Sequence, residues 1–244
     1  MLNLESEINS NMMSCWTPAN IAVVDETLVP FKGRNNPHHV FIMRKPNPHG
    51  LKNWSLVDYS GYFFAFSLFR RDRSGQQQTY EAADQTLLRM ASVLPPGTLI
   101  CADSYFGSLK ALEGLAKQGK YGLFSCNSKR DTFIFKEDLH KKVNCDGESS
   151  SLYGSVEGMN GARVPFIANC FQSEGRKLNT MGSVYSDVLS ERSLEVLLED
   201  DSEEKQAEYK QLLEMRPLVR VEYAKIMSCV DNADQAMMAA LPKN

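Results

Sequence analysis

Residues 21–31 read IAVVDETLVPF, a run that is almost continuously apolar and β-branched. Such a run is typical of a strand that is covered on both faces of a sheet. Asp25 stands in the middle of this run, where an unpaired carboxylate is costly to bury unless it is protonated, hydrogen-bonded or bound to a cation. Glu26 is expected to point to the opposite face, because side chains alternate along a strand. The sequence therefore predicts a central strand that carries one functional acid.

The segments after this strand alternate between strand-like and helical patterns. Residues 52–69 break at a Ser-Gly pair into two strand-like halves, which favours a hairpin. Residues 80–94 carry apolar side chains at helical spacing, and residues 98–103 form a short buried run that ends in an aspartate. A second helix is predicted after Ser108, a good N-cap, and a fifth strand is predicted from Tyr121.

This order of elements predicts a fold of the α/β class, a ribonuclease H-like mixed sheet flanked by helices. A right-handed crossover through the first helix returns the chain parallel to the first strand, so the strand that ends at Asp103 is expected beside the strand that contains Asp25. Between residues 129 and 190 the pattern weakens, and only residues 164–171 are a convincing strand. Apolar residues return at helical spacing after Pro217, which predicts a last core helix preceded by an insertion.

The chain is accordingly interpreted as four segments. They are an N-terminal extension (1–19), the first part of the ribonuclease H-like core (20–130), an insertion region with an acidic helix or linker (131–214) and the last core helix (215–244). The acidic run within the insertion region is typical of a solvated surface and is assigned no chemistry.

The last helix supplies two acids that can join Asp25 and Asp103. Asp231 and Asp234 are three residues apart and so share one face of a helix. Carboxylates that converge without a nearby lysine are the arrangement that Mg²⁺ or Mn²⁺ requires. Two such ions, roughly 3.5–4 Å apart, activate an attacking hydroxyl and stabilise the leaving oxygen in phosphodiester cleavage. Aspartates at strand ends and on helix faces also commonly cap or turn the chain, so spacing alone leaves a structural role open.

A basic segment lies close to the first strand. No acid occurs from residue 27 to residue 57, although the whole chain has a net charge of −3. Five cations of this segment are candidate contacts to DNA phosphates: Lys32, Arg34, Arg44, Lys45 and Lys52. The same side chains are equally open to solvation or to pairing with acids.

Other kinds of site are not indicated. The six cysteines include no CxxC pair, so neither structural zinc nor a disulfide framework is expected. No apolar run has the length of a membrane span, and the first residues are polar rather than signal-like. We therefore expect an intracellular protein with no membrane partner.

Three blocks of sequence resemble piggyBac-type DNA transposases. Residues 23–34, VVDETLVPFKGR, resemble the first-aspartate block of that family, and RKP (44–46) and GLKNW (50–54) resemble the segment that follows it. Residues 102–122, ADSYFGSLKALEGLAKQGKYG, resemble the second block. Residues 221–235, VEYAKIMSCVDNADQ, resemble the third block, whose family form is roughly YNxxMGGVDxxDQ. The three blocks occur in the family's order.

This resemblance implies a DDE/D transposase core in which Asp25, Asp103 and Asp231 are the catalytic acids and Asp234 is an accessory acid. It implies that these four acids bind Mg²⁺ (or Mn²⁺). It also implies cut-and-paste strand cleavage and transfer at transposon ends, with DNA as the partner. The resemblance allows a homodimer and implies a nuclear location.

The sequence departs from the family pattern at a few positions. Ser104 stands where the family usually has asparagine, and Ser228-Cys229 replace a glycine pair, which alters how closely the backbone approaches metal or DNA. We also expect the chain to lack the N-terminal region and the cysteine-rich C-terminal finger of full-length relatives. Three interpretations stay open. They are a competent transposase core, a transposon-derived protein that binds DNA or protein without cleavage, and a degenerate product with no selected role.

Overall fold

The computed structural model describes residues 2–33, 36–43, 47–58, 60–69, 83–130, 133–183 and 227. Within these residues the α-helices are α1 (Leu2–Cys15), α2 (Ala83–Ala91), α3 (Leu109–Lys117) and α4 (Lys136–His140). The strands are β1 (Ile21–Pro30), β2 (His39–Phe41), β3 (His49–Asp58), β4 (Phe63–Leu68), β5 (Leu99–Ala102), β6 (Tyr121–Cys126), β7 (Ser149–Glu157), β8 (Arg163–Ser173) and β9 (Arg176–Ser183). No helix in these ranges has both the length and the apolar character to cross a membrane.

The described strands form one mixed sheet in the order β2-β3-β1-β5-β6-β9-β8-β7, and β4 pairs with β3 further along that strand than β2 does. β1 is central, because it pairs antiparallel with β3 on one side and parallel with β5 on the other. β6 continues the sheet parallel to β5. The prediction of a mixed sheet flanked by helices is confirmed, and β5 lies parallel to β1 as the crossover argument requires.

Both faces of β1 are buried, which explains its nearly continuous apolar sequence. Ala22 and Val24 point into the larger core, which also contains the apolar faces of α2 and α3. Val23 points to the opposite face, where it packs with Val57 and Cys101 in a smaller cluster. The central strand therefore separates two apolar layers, and a polar residue on either face needs a specific partner.

The turn between β3 and β4 is organised by a buried carboxylate. Asp58 Oδ1 accepts the backbone N–H groups of Ser60 at 2.8 Å and Tyr62 at 3.1 Å. Its other oxygen accepts the indole N–H of Trp16 at 3.1 Å. Gly61 adopts φ +87°, a left-handed conformation that favours glycine. The predicted hairpin is therefore present, with its turn at the predicted Ser-Gly pair.

The first residues form a helix that the sequence analysis did not predict. The Asn9 side chain of α1 pairs with the backbone of Phe66 in β4, accepting its N–H at 3.0 Å and donating to its carbonyl at 2.8 Å. The Tyr62 hydroxyl donates to the carbonyl of Met12 at 2.8 Å. These contacts dock the polar helix against β4, so packing rather than its own amphipathic pattern holds it.

The region after β6 extends the same sheet. β9 pairs antiparallel with β6, and β8 and β7 follow as further antiparallel neighbours. Only β8 was predicted as a strand, because β7 reads SSSLYGSVE and its small, polar residues give little strand pattern without their cross-strand partners. Of the predicted last helix only Met227 lies within the described residues, where it is helical.

Candidate active site

Asp25 lies on β1, on the face of the sheet that carries the smaller apolar cluster. It is paired in register with Ser55 of β3, and it is half-buried. Alternation along the strand puts its side chain on the same face as Val23, which belongs to the smaller cluster. Its Oδ1 accepts the backbone N–H of Glu26 at 2.7 Å. The Asp25 carboxylate therefore lies on the face of the sheet that carries the smaller apolar cluster.

Asp103 follows the last residue of β5 at the carboxyl end of the parallel strands. Val24 and Ala102 are paired in register, so Asp25 and Asp103 are each one residue past this pair on adjacent strands. Adjacent strands are about 4.8 Å apart, which brings the two acids to neighbouring positions. The sequence-based expectation that β1 and β5 would carry these acids side by side thus agrees with the register. The carboxyl end of parallel strands is also where α/β sheets usually place functional groups.

The pKa of the Asp103 carboxyl is raised above its ordinary value, and burial is the largest cause. The hydrogen bond from the backbone N–H of Tyr105, 2.8 Å long, acts in the opposite direction. The negative charge of Glu26 raises the pKa further, while the positive charges of Arg130 and Lys52 lower it. Asp103 is thus a desolvated acid whose charged form gains from a nearby cation.

Lys52 is engaged inside the protein rather than extended into solvent. Its Nζ lies 2.5 Å from Glu26 Oε2, and the side chains are only 18% and 25% exposed. The ammonium also lies 4.1 Å from the ring centroid of Trp54 and 5.7 Å from that of Tyr105. Lys52 is also close enough to Asp103 for its positive charge to lower the pKa of that carboxyl.

The remaining predicted DNA contacts divide into described and undescribed residues. Lys32 is exposed just after β1, where it is accessible to a ligand. The other three basic candidates lie outside the described residues: Arg34, Arg44 and Lys45. Asp231 and Asp234 also lie outside them. Met227, four residues before Asp231, packs against the smaller apolar cluster.

Arg130, from the loop after β6, is a site residue that sequence reasoning missed. Its guanidinium donates to the carbonyl oxygens of Ser104 at 3.3 Å and Tyr105 at 2.9 Å. Its Cζ lies 5.1 Å from the Tyr105 ring centroid. The Tyr105 ring also stacks on Trp54, with centroids 4.9 Å apart. Arg130 therefore holds the loop that carries Asp103. Nothing in its local sequence indicates this role, since the contact spans 25 residues.

A second missed group is the set of polar residues beside Asp25 on the same face. Ser55 Oγ donates to Thr27 Oγ1 at 2.9 Å. Asn53, paired in register with Thr27, is only 7% exposed, and its Oδ1 has no hydrogen-bond partner. The sequence signal for this polar group was the pair of polar residues at positions 53 and 55. They alternate along a strand whose other inward positions are apolar.

The donor atoms around Asp25 and Asp103 suit a hard divalent cation. Among the described residues no three His, Cys, Asp or Glu side chains are grouped closely enough to hold a metal ion, and two of the four predicted ligands lie outside them. The donors that are described are oxygens: two carboxylates and the partnerless amide oxygen of Asn53. Mg²⁺ and Mn²⁺ prefer oxygen ligands, so this donor set fits either ion.

The fold and these acids define a class of protein, an α/β mixed-sheet domain with acids on neighbouring parallel strands. The sequence matches the family described as Transposase IS4 over residues 2–242. The chain therefore belongs to this transposase family. No curated protein matches the sequence.

The fold is similar to that of a piggyBac transposase, solved by cryo-EM as a synaptic complex with hairpin DNA, with a TM-score of 0.55 and 14% identity. The match covers 97% of this chain and 52% of that chain, so the present chain spans about half the length of that protein. The resemblance to piggyBac-type transposases and the ribonuclease H-like fold, both predicted from the sequence, are thereby confirmed.

Proposed function

We propose that this chain is a DDE/D transposase core that cleaves and joins DNA strands with Mg²⁺ or Mn²⁺. The observation that carries the proposal is the register of β1 and β5, which puts Asp25 and Asp103 at neighbouring positions in a member of a transposase family. Two half-buried acids at neighbouring strand positions are not needed for folding alone, because apolar residues would cover the sheet at lower cost.

Each residue of the proposed site has a separate task. Asp25 and Asp103 present oxygens at the carboxyl end of the parallel strands, and the predicted last helix would add Asp231 and Asp234. Met227 supports this arrangement, because it packs on the face of the sheet that bears Asp25. When bound, the divalent ions supply activation of the attacking hydroxyl and stabilisation of the leaving oxygen.

DNA is the proposed substrate, and the basic segment after β1 is its proposed contact. Lys32 is exposed, and the predicted set also includes Arg34, Arg44 and Lys45. Lys52 belongs to that set by sequence, but its pairing with Glu26 makes it a weaker candidate for phosphate contact. Location in the nucleus, assembly as a homodimer and recognition of transposon ends remain predictions from the resemblance.

The test is metal-dependent cleavage by the purified chain. A supercoiled plasmid and an end-labelled duplex are incubated with Mg²⁺ or Mn²⁺, and nicked and shortened products are measured. Asp103→Ala is expected to lose at least about a hundredfold in rate, because a group acting only in the reaction is removed. Asp146→Ala is the matched control, since Asp146 is an exposed acid that accepts the backbone N–H of Gly175 at 3.0 Å. Equal cleavage by both variants would reject the proposed site.

A second function, DNA or protein binding without cleavage, is favoured by one observation. The positive charge of Lys52 lowers the pKa of the Asp103 carboxyl and so acts against the effect of burial in the absence of a metal. Ser104 adds a departure from the family pattern at the next position. This alternative predicts a shift of labelled DNA in a gel, with no cleavage by the unaltered chain in either metal and no effect of Asp103→Ala on binding.

A further inference from the structure

We propose that Asn53 is an additional oxygen ligand of the cation site, acting through Oδ1 on the ion itself or on one of its bound waters. This inference rests on the proposed function, because it adds a residue to the metal site formed around Asp25. It adds a neutral amide ligand to the acids that the three sequence blocks predict.

The first step is the state of the Asn53 side chain. It is 7% exposed, and its Oδ1 makes no hydrogen bond, although the neighbouring Ser55 and Thr27 hydroxyls are hydrogen-bonded to each other. A buried amide oxygen without a donor is unfavourable, and a leucine of similar size would avoid that penalty. Asn53 Oδ1 is therefore expected to have a partner such as a cation or an ordered water.

The second step is its position relative to the acid. Asn53 is paired with Thr27, and Ser55 is paired with Asp25, so Asn53 is the diagonal neighbour of Asp25 across the β1–β3 pair. Residues 53 and 55 point to one face, as do residues 25 and 27, and the pairing puts all four on the same face. Diagonal neighbours are about 7–8 Å apart at Cα, within reach of two side chains that share one ion or one ion-bound water.

The third step is the chemistry of the oxygen. An asparagine carbonyl is neutral and hard, and it is a common ligand of Mg²⁺ and related cations alongside carboxylates. A neutral ligand completes the coordination without adding negative charge beside Asp25 and Asp103. Ser55 and Thr27, which are diagonal neighbours in this pairing, already satisfy each other in part by their hydrogen bond, whereas the amide oxygen of Asn53 has no hydrogen-bond partner.

The experiment separates a ligand from an unsatisfied core residue by measuring stability and metal affinity together. The full chain is titrated with MnCl₂ by calorimetry, and its thermal unfolding is followed in EDTA and in MnCl₂. Asn53→Leu is expected to unfold at the same or a higher temperature in EDTA, yet to bind Mn²⁺ about tenfold more weakly, as losses of supporting ligands typically do. A purely structural role would change the first measurement and leave the second untouched.

Asn179→Leu is the matched control. Asn179 is also a buried strand asparagine, but its Oδ1 lies 2.9 Å from His140 Nε2 and so has a partner. This variant is expected to unfold at a lower temperature in EDTA and to bind Mn²⁺ as the unaltered chain does. An Asn53→Leu chain that binds Mn²⁺ normally overturns the inference.

A second variant decides the matter if Asn53→Leu does not fold. Asn53→Asp keeps an oxygen in place and adds charge, so it is expected to bind Mn²⁺ several-fold more tightly while losing stability in EDTA. Unchanged or weaker binding would overturn the inference. Failure of the proposed function gives different results. If the unaltered chain binds no Mn²⁺, or if the Asp25→Ala variant binds Mn²⁺ as well as the unaltered chain does, the metal site itself is rejected.

Discussion

The backbone N–H of Tyr105 donates to Asp103 Oδ1 at 2.8 Å, so a residue two places along the chain orients the candidate metal ligand. The Tyr105 ring stacks on Trp54 with centroids 4.9 Å apart, and Arg130 lies over it at 5.1 Å. The ring is therefore an anchor for the peptide that holds the carboxylate. Replacing a group that fixes a ligand in this way typically lowers metal affinity by about 10–100-fold.

Replacement of the Tyr105 ring should weaken metal binding without removing any ligand. Tyr105→Leu loses the stack on Trp54, and we expect Mn²⁺ affinity to fall about tenfold. Tyr105→Phe keeps the ring and should bind Mn²⁺ like the unaltered chain. Calorimetric titration of the two variants measures the difference, and equal loss in both would show that the hydroxyl rather than the stacked ring matters.

Arg130 should act through geometry as well as charge. Its Nη1 donates to the carbonyl oxygens of Ser104 and Tyr105 while the guanidinium lies over the Tyr105 ring, and a lysine ammonium lacks the planar group that makes this ring contact. We expect Arg130→Lys to cleave DNA more slowly than the unaltered chain and Arg130→Ala to be slower still. Because Arg130 is exposed, either change should alter the free energy of unfolding by less than about 1 kcal/mol. A loss of stability that paralleled the loss of rate would assign Arg130 to folding instead.

The elements that could be predicted from sequence are those whose buried residues recur at regular spacing along the chain. β1 is buried on both faces and α3 on one, so their apolar patterns indicated both type and position. The N-cap of α3 was also predictable, and Ser108 accepts the N–H of Ala111 at 3.0 Å. Helix α1 was not, since its side chains bind β4 through polar groups that have no periodic signature.

The candidate site was predictable only where a residue was unusual for its own strand. Asp25 was conspicuous because it interrupts an apolar run, and Asp103 because it ends one. Arg130 and Asn53 depend on neighbours 25 or more residues away, and such contacts are fixed by the sheet and its loops rather than by local pattern. Long-range register is the information that one sequence does not contain.

Removal of the Asp103 charge should stabilise the metal-free protein in a pH-dependent way. Burial raises the pKa of Asp103 above its ordinary value of 3.8, so the folded state binds its proton more tightly than the unfolded state. Stability from this group is complete below 3.8 and is lost as pH rises through the raised pKa. In EDTA, Asp103→Asn should therefore resist urea better than the unaltered chain at pH 7, with the difference vanishing below about pH 3.8. In MnCl₂ the order at pH 7 should reverse, because metal binding then stabilises only the chain with the carboxylate.

The contact between α1 and β4 should contribute measurably to stability. Asn9 makes two hydrogen bonds to Phe66, while the apolar side chains of Leu4 and Ile8 in the same helix are exposed. Asn9→Ala is expected to lower the free energy of unfolding by about 1–2 kcal/mol, because it leaves a strand N–H and carbonyl without these partners. Ser14→Ala, at an exposed position of the same helix, is the control and should cost less than about 0.5 kcal/mol in urea denaturation.

Lys52 is predicted by sequence to contact DNA and by structure to pair with Glu26, and the two roles give opposite results. As a structural cation, 18% exposed beside Trp54, it should couple to Glu26 by roughly 1–3 kcal/mol in a double-mutant cycle of Lys52→Met and Glu26→Gln. DNA affinity should then keep its full salt dependence in Lys52→Met.

If Lys52 is instead a phosphate contact, replacing it should reduce the slope of log affinity against log salt by about 1, with little change in the free energy of unfolding. Lys32→Met provides the comparison, since Lys32 is exposed and should reduce the slope whichever role Lys52 has. We expect the slope to fall for Lys32→Met alone, because an ammonium 2.5 Å from a carboxylate must break that pair before it can bind a phosphate.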